Sequence, residues 1–489
     1  MCNRNRTTRR VNVLFSLMLV VALLASCGGG NTEVETTDGA TSSIESTDEN
    51  NIFSDLPTGN FDGAEFVFAN EIDSKWAIVT LDTNEINGEV INDAIFNRNR
   101  LVEDRLNVKI SCQEFERDYM LYNQIVQNVL AGDDPISVID LTASTSAPLI
   151  LDGYFLDSDT VGIDTSKPWW NSTVMDSLTF AGKSYSFAGD VSVMLWDASY
   201  CFMFNKKMAA DLQLEDHYDL VRNGEWTIDK AAELMKSAAI DLNGNSRVDT
   251  EDQFGLNATA RLMSYMMIAG GEKIVPTDKD GLPEFTGLTQ SLSDKFDKIY
   301  KVFFDTDDVF IAERKWTYKD DSKNWHSIFL DGHSLYFFEP VGSGTELRDS
   351  SFDYGYLPLP KFDREQEHYI TPIIHFAHVM HVTKCHEDTE MISTVLENLC
   401  AESYRTVKPA FFKHIVEGKR VQDDATIEMF DYIFEHQVMN PACIYDWGKI
   451  CTTINNAAAD KEPDISSKIA GITPAVKDAI QKTIEYYSE

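Results

Sequence analysis

The densest group of aromatic side chains lies between Lys167 and Lys207. This stretch contains three tryptophans and four phenylalanines, with Asp190 among them. Aromatic rings beside polar groups form part of a core, or they offer a platform for a flat polar ligand. The pattern predicts two β-rich segments that meet at a turn, followed by a helix after Asn205. Composition alone leaves both roles open.

A second group of residues matches the spacing of a calcium-binding loop. From residue 241 to 252, oxygen-bearing side chains occupy positions 1, 3, 5, 9 and 12, most like the dockerin form of the EF-hand loop. Ser246 replaces the usual turn glycine, however, and the last ligand is shorter than glutamate. A polar surface turn explains the same residues, so a structural calcium ion is one of two interpretations. The expected calcium ligands are Asp241, Asn243, Asn245, Asp249 and Asp252.

Other patterns that could carry chemistry are incomplete. His375, His378 and His381 fall in a predicted strand, where alternation puts the middle one on the opposite face, so no metal site is expected. The Gly-Lys-Ser at 182–184 lacks the first glycine of a phosphate loop, and the sequence contains neither HExxH nor GxSxG. The 79 acidic residues offer many pairs, so the sequence does not exclude the paired carboxylates of a glycosidase.

The cysteines do not follow a metal-binding pattern. Six cysteines follow Cys27 without CxxC spacing, which argues against a zinc site. Most stand among apolar residues, as buried thiols do. For Cys443 and Cys451, a local disulfide is the alternative to two buried thiols.

The first 27 residues resemble a bacterial lipoprotein signal. Four arginines precede an apolar run, Val11 to Leu24, that is too short for a membrane span. Leu-Ala-Ser-Cys at 24–27 resembles the lipobox, and an ordinary secretory signal is the alternative. The resemblance implies a signal peptide over 1–26, lipidation of Cys27, and a location on the outer face of the cell membrane. Residues 27–52 are rich in Gly, Ser, Thr, Asp and Glu, which predicts a flexible tether.

Length and charge narrow the possible organisation and partners. A chain of 489 residues exceeds a single core, so two or three domains are expected. The net charge of −37 comes from 42 basic and 79 acidic residues. Such a surface repels nucleic acid and anionic headgroups, so neither is an expected partner.

The elements that must position these residues begin with a β-α-β-α-β order. Strands are predicted at 63–70, 107–114 and 136–141, with a helix in each interval. This order predicts a parallel sheet with crossover helices, whose ligands lie beyond the carboxyl ends of the strands. No glycine fingerprint follows the first strand, so a dinucleotide is not indicated. The residues at the strand ends are Asn70, Glu71, Asp140 and Ser144.

Several features together resemble the extracellular solute-binding lipoproteins of ABC importers, in the family-1, carbohydrate-type group. They are the lipobox, the acidic tether, the α/β first part, the aromatic stretch, Phe-Asn-Lys at 204–206, DYGYLPLPK at 353–361, and a strand then helix over 373–403. The resemblance implies an α/β, two-lobed periplasmic-binding-protein-like fold of type II, each lobe a mostly parallel sheet flanked by helices. Lobe 1 would be 53–200 plus 346–383, and lobe 2 would be 201–345 plus 384–489.

The same resemblance implies a monomer, not an enzyme, that captures a carbohydrate, expected to be an oligosaccharide, for an ABC permease and needs no cofactor. An exported lyase or glycosidase, a surface adhesion module, and a peptide ligand remain alternatives. A sugar stacks its C–H face on aromatic rings and offers its hydroxyls to carboxylates. The stacking candidates are Trp76, Trp196, Trp226 and Trp447, with Trp169 and Trp170 bracing the lobe behind them. The hydroxyl-binding candidates are Glu71, Asp140, Ser144, Asp190, Asp197 and Glu339.

Overall fold

The structure is a computed structural model that describes residues 52–73, 77–246, 248–314, 325–348, 350–418 and 424–488. The predicted signal peptide, Cys27, the tether up to residue 51 and Trp76 lie outside these residues. Along the described chain, no helix is long and apolar enough to cross a membrane.

The strands form two main sheets and one short pair. They are β1 (Ala64–Glu71), β2 (Val108–Phe115), β3 (Val138–Thr142), β4 (Tyr200–Asn205), β5 (Phe254–Ala258), β6 (Val309–Ile311), β7 (Ser334–Pro340), β8 (Tyr354–Leu357), β9 (Thr371–Pro372), β10 (His378–His381) and β11 (Gln437–Val438).

Helices cover the sheets and connect them. They are α1 (Val90–Leu106), α2 (Asp118–Ala131), α3 (Ala143–Leu151), α4 (Ser158–Val161), α5 (Ser172–Ser177), α6 (Met194–Asp197), α7 (Lys206–Asp211), α8 (His217–Arg222), α9 (Ile228–Ala238), α10 (Leu262–Ala269), α11 (Gln290–Ile299), α12 (Trp325–Leu330), α13 (Glu390–Arg405), α14 (Val407–Gly418), α15 (Asp424–Glu435), α16 (Pro441–Ile444), α17 (Ile450–Ala459) and α18 (Ser466–Ser488). A π-helical turn, Tyr300–Phe304, extends α11, and 3-10 turns lie at Ala312–Arg314, Val341–Thr345 and Trp447–Lys449.

The first sheet has the strand order β10-β3-β1-β2. β1 is parallel to both β2 and β3, and α1 and α2 make the connections, so the predicted β-α-β-α-β order is confirmed. Every residue of β3 is buried, as expected where helices cover both faces of a parallel sheet. The predicted end of α2 is also confirmed, because Gly132 caps it with a φ of 71° that glycine adopts freely.

The second sheet has the strand order β6-β5-β7-β4-β8. β5 is parallel to β6 and β7, and β4 runs antiparallel to both β7 and β8. Thr227 accepts the backbone N–H of Lys230 and starts α9, as the sequence predicts. Each sheet with its helices forms one lobe. The first sheet is mostly parallel, as predicted, whereas the second is mixed, with two parallel and two antiparallel pairings.

Some segments differ from the predictions. Residues 346–383 were expected in lobe 1, yet β8 pairs within the second sheet, and the chain joins the first sheet only at β10. Likewise α13, expected in lobe 2, packs on α1 of the first lobe, where Arg105 pairs with Glu402 at 2.6 Å. The lobe limits otherwise stay a prediction. In the aromatic stretch, the second of the two predicted β segments is present as β4, but the first is replaced by α5, α6 and isolated β-bridges.

The bracing role predicted for the neighbouring tryptophans is confirmed. Trp169 and Trp170 are buried and donate their indole N–H groups to the two carboxylate oxygens of Glu397, at 2.9 and 2.8 Å. Burial raises the pKa of Glu397, and the two indole donors partly oppose that shift. The pair therefore fixes α13 against the aromatic stretch.

Candidate functional site

The carboxyl-end edge of the first sheet gathers residues from four elements. β1 ends at Glu71, and β3 ends at Thr142, which caps α3. β10 begins opposite Thr142, so its antiparallel direction brings His378 to the same edge. Just beyond β1 and β2, the side chains of Ile72 and Tyr119 are 38% and 60% exposed. This edge therefore has a polar interior and a partly apolar outer rim.

Glu71 and Asp140 are held together by His378. The Nδ1 atom of His378 lies 3.0 Å from Oδ2 of Asp140, and its Nε2 atom lies 3.3 Å from Oε2 of Glu71, with all three side chains buried. Burial lowers the pKa of His378, but Asp140 and then Glu71 outweigh it and raise that pKa to about 9. Both carboxylates therefore contact an imidazole inside the lobe, and the hydroxyl-binding role expected of them stays a prediction.

Three of the predicted stacking tryptophans are interior side chains. Trp226 has no exposed surface and donates its indole N–H to the carbonyl of Pro358 at 2.8 Å. Trp447, 3% exposed, donates to a threonine of α18, and Trp196 is 5% exposed. The three rings are covered by protein in this structure, and their stacking on a sugar stays a prediction. The role of Trp76 stays a prediction.

Asp190 belongs to an ion pair beneath the aromatic stretch. Its Oδ2 atom lies 3.3 Å from Nζ of Lys408, which also lies 5.2 Å from the ring centre of Trp196 and 4.9 Å from that of Tyr404. Burial raises the pKa of Asp190 to about 6, and Lys408 offsets part of that shift. Asp190 and Trp196 thus both contact Lys408 of α14, and their contacts with a ligand stay a prediction. Asp197 is likewise buried and accepts the Ile78 N–H at 2.8 Å.

The carboxyl-end edge of the second sheet carries charged residues. Arg261 follows β5, Glu313 follows β6, and Glu339 lies near the end of β7; these three strands are parallel, so their ends share one edge. Glu339 accepts the indole N–H of Trp325 at 2.8 Å. Burial raises the pKa of Glu339, and His326 and Trp325 oppose the shift. The structure thus puts Glu339 at the edge, and its contact with a ligand stays a prediction.

The segment between β9 and β10 brings the two edges together. On the first-lobe side, the carbonyls of His375 and Ala377 accept the N–H groups of Ser144 and Ala143, at 3.1 and 2.9 Å. On the second-lobe side, Tyr265 of α10 bonds to His375. Ser144, half-buried, therefore lies where the sequence expects it, and its role in binding stays a prediction. The predicted strand over 373–383 is confirmed only at β10, because the preceding residues turn to make these contacts.

An exposed aromatic ring and a cation meet on this connecting segment. The guanidinium carbon of Arg261 lies 5.5 Å from the ring centre of Phe376, within cation–π range. Phe376 is 40% exposed and Arg261 is half-buried. Glu313 and Glu339 lie on the same edge of the second sheet as Arg261, so an exposed aromatic ring and charged groups occur at this edge. Such an arrangement suits a polyhydroxylated ring better than an extended apolar molecule.

The imidazole that supports this pair is neutral. Burial, and then Arg261, lower the pKa of His375 to about 4. Burial, followed by Tyr200 and Cys443, raises the pKa of Tyr265 well above its ordinary value, so its phenol stays protonated. The Tyr265 O–H can therefore donate to the ring atom Nδ1 of His375, while the phenol oxygen accepts a hydrogen bond from the backbone N–H of His375 at 3.1 Å.

Three short segments lie side by side between the lobes. They are the residues just before β4, the residues following β9, and β11. The Ile374 N–H donates to the Ala198 carbonyl at 3.0 Å, and the Ile373 N–H donates to the Val438 carbonyl at 2.8 Å. Each segment leads from elements of one lobe to elements of the other. Rotation of the lobes would therefore concentrate in these few backbone segments, which is the usual construction of a hinge.

Solved structures share this architecture. The chain is similar to the cyclo/maltodextrin-binding protein complexed with maltotetraose, with TM-score 0.58 and 13% identity over 86% of this chain and 97% of that one. It is similar to the ABC substrate-binding protein Lmo0181 from Listeria monocytogenes in complex with cycloalternan, with TM-score 0.52 and 13% identity over 87% and 99%. It is also similar to UspC from M. tuberculosis, with TM-score 0.55 and 12% identity over 85% and 100%.

The chain shares a two-lobed fold with these solved structures. The predicted α/β periplasmic-binding-protein-like class is therefore confirmed. No protein-family model and no curated protein matches the sequence.

The predicted calcium loop is an exposed turn whose carboxylates bond within it. Both Asp241 oxygens accept backbone N–H groups, at 2.7 and 2.8 Å, and both Asp252 oxygens do the same at 3.3 and 2.9 Å. Asn243 and Asn245 direct their amide nitrogens to Asp249, so they present donors where a calcium ion needs oxygen. Within the described residues, no group of three or more His, Cys, Asp or Glu side chains is arranged for a metal. Calcium binding stays a prediction.

Sequence reasoning missed Arg261, Phe376 and Tyr265. Arg261 could have been found, because the rule that ligands lie beyond the carboxyl ends of strands also applies to β5, which was not recognised as a strand. Phe376 stood inside a predicted strand, where an aromatic residue is ordinarily core. Its exposure results from the turn before β10, and no local pattern announces that turn.

Proposed function

We propose that this protein is a lipid-anchored solute-binding protein that captures a carbohydrate, specifically an oligosaccharide, and delivers it to an ABC permease. Its two lobes close on the sugar by rotating about the three adjacent segments between them. No bond of the ligand is made or broken. Affinity comes from contacts that both lobes make in the closed state and cannot make together in the open state.

The observation that carries the proposal is the meeting of Arg261 and Phe376 where both sheet edges converge. A pyranose has an apolar C–H face and a rim of hydroxyls. The exposed face of Phe376 suits the first, and Arg261 with Glu339 suits the second. Residues of the other edge, Ser144 and Tyr119 among them, would reach the opposite side of the sugar on closure.

The known ligands of similar folds support the choice of an oligosaccharide. The solved structures described above include complexes with maltotetraose and cycloalternan. At 13% sequence identity, these structures support the class of ligand, an oligosaccharide, and do not indicate which sugar is bound. Residues of a binding site diverge long before a fold does. The sugar itself must come from experiment.

The lipid anchor and the export are part of the same proposal. Lipidation of Cys27 would keep the body near the membrane, and a tether of mostly polar residues would let it reach a permease. Labelling with a radioactive or clickable fatty acid should mark the wild-type protein and not the Cys27→Ala variant. Equal labelling of both would exclude this anchor.

Binding is tested by calorimetry and thermal shift with a panel of linear and cyclic oligosaccharides. We expect saturable binding of at least one of them, with unchanged sugar on chromatography after prolonged incubation. Arg261→Ala should weaken binding, whereas Arg364→Ala, which removes an exposed arginine paired with Glu225, should not. Product formation would instead identify a lyase or glycosidase. Binding of peptides alone would exclude the carbohydrate.

A further inference from the structure

Two buried thiols face each other close to the candidate site. The Sγ atoms of Cys443 and Cys451 are 3.0 Å apart, and the residues are 7% and 5% exposed. The other described cysteines are at 112, 201, 385 and 400. Cys443 also lies near Tyr265, whose pKa it helps to raise after burial and Tyr200.

The two thiols stand on helices that contact different lobes. Cys443 is on α16, which packs against α3 of the first lobe. Cys451 is on α17, which packs against α10 of the second lobe, where Asn455 accepts the Ser264 N–H at 3.1 Å. Two carbonyls at the end of α17 also accept hydrogen bonds from the guanidinium of Arg314, each at 2.8 Å. The pair therefore spans a further chain crossing between the lobes.

The loop that joins these helices already has an unusual backbone. Asp446 and Lys449 have positive φ angles of 39° and 68°, and Gly448 has one of 56°. A Cβ atom on Gly448 would lie 2.4 Å from the backbone nitrogen of Val476, so the loop fits closely against α18. This packing holds the two helix ends together and fixes the two sulfurs at near-bonding separation, since a disulfide needs about 2.05 Å between them.

We propose that Cys443 and Cys451 form a reversible disulfide that restricts rotation of the two lobes. The proposal rests on the hinge closure of the proposed function. With the bond formed, the ends of α16 and α17 cannot separate, so the crossing becomes stiffer. With the bond reduced, only the non-covalent packing of the loop at 445–449 holds these ends, so they can shift as the lobes turn. The redox state of the surroundings would then set how readily the receptor opens and closes.

The reaction balances with a disulfide as the oxidant. One cysteine thiolate attacks glutathione disulfide, forming a mixed disulfide and releasing one glutathione thiolate, which takes up the lost proton. The second cysteine then attacks the mixed disulfide, forming the bond between Cys443 and Cys451 and releasing the second glutathione. Both cysteines are oxidised, and one glutathione disulfide is reduced to two glutathiones.

The site is tested on the full chain without any sugar. After incubation with glutathione disulfide and an acid quench, peptide mapping should find a 443–451 linkage that dithiothreitol removes. The 443–451 linkage should persist in the Cys385→Ser control and be absent in Cys443→Ala and in Cys451→Ala. Two variants are used so that one remains informative if the other does not fold. Two free thiols after oxidation would overturn the proposal.

The restriction of movement is tested by amide hydrogen exchange. Oxidation should slow exchange at 371–374 and 436–449 by about tenfold in the wild type and leave it unchanged in the variants. A disulfide that forms without slowing exchange at these segments would also overturn the proposal. Because neither readout uses a ligand, failure here is distinct from failure to bind sugar.

Discussion

The phenol oxygen of Tyr265 lies 2.8 Å from the ring atom Nδ1 of His375. The same oxygen accepts a hydrogen bond from the backbone N–H of His375 at 3.1 Å. One side chain of the second lobe thus holds the connecting segment that carries Phe376, and the same segment is bonded to α3 of the first lobe. The placement of the exposed ring therefore depends on both lobes.

Replacing Tyr265 by Phe should lower the free energy of unfolding by about 1–2 kcal/mol, because two polar atoms of the half-buried His375 lose their hydrogen-bond partner. Urea unfolding measures the change. Tyr119→Phe, which removes an exposed hydroxyl, is the matched control and should be neutral. Equal stability of Tyr265→Phe and wild type would contradict the role of this bond.

Replacing Phe376 by Ala should weaken binding of the best sugar roughly tenfold, because a stacking face worth about 1–1.5 kcal/mol is removed. Since the Phe376 side chain is 40% exposed, the melting temperature of the Phe376→Ala variant should hardly differ from that of the wild type. Leu130→Ala removes a 75%-exposed side chain near the end of α2, at the opposite edge of the first sheet, and should leave affinity unaltered. Unchanged affinity in Phe376→Ala would place the sugar elsewhere.

Stability should fall at alkaline pH because of His378. Its pKa, about 9, is above the ordinary value of 6.5, so its contribution is fully present below 6.5 and is lost as pH rises through 9. The unfolding free energy should therefore drop by about 3 kcal/mol between pH 7 and 10. His378→Gln should be less stable at pH 7 and lack most of this drop. The same slope in both proteins would argue against a buried imidazolium.

Asp190 should have an effect of the same sign in a more acidic pH range. Its pKa, about 6, is above the ordinary 3.8, so its favourable contribution is present below 3.8 and is lost as pH rises through 6. Asp190→Asn should equal wild type at pH 4 and exceed it on the order of 1 kcal/mol at pH 7.5. Lys408→Met should lose stability at pH 7.5, because the carboxylate is then unpaired. A destabilised Asp190→Asn at pH 7.5 would show that the ion pair is favourable overall.

Calcium is predicted to raise the melting temperature through the loop from Asp241 to Asp252. At a calcium concentration of a hundred times Kd, the stabilisation would be about 2.7 kcal/mol, and a chelator should reverse it. Asp249→Asn should abolish the effect, whereas Asp278→Asn, in another exposed turn, should keep it. Melting that is indifferent to chelator in wild type would identify the loop as a polar turn alone.

Local sequence patterns were sufficient for much of the first lobe. Alternation and helical periodicity predicted β1, α2 and β3, and the caps at Gly132 and Thr227 followed from the residue types that helix ends require. Those signals are local, since each depends on residues within a few positions of one another. The order of such elements was enough to indicate the α/β class and the edge at which a ligand would lie.

Exposure and pairing were decided by tertiary structure. His378 is 238 residues from Asp140 and 307 from Glu71, and only the antiparallel placement of β10 beside β3 joins the three. The same assembly buries Trp226 and exposes Phe376, although their residue types alone favour neither outcome. Periodicity shows which face of an element is apolar. It does not show what covers that face, because covering depends on sheet order and on contacts between residues far apart in the chain.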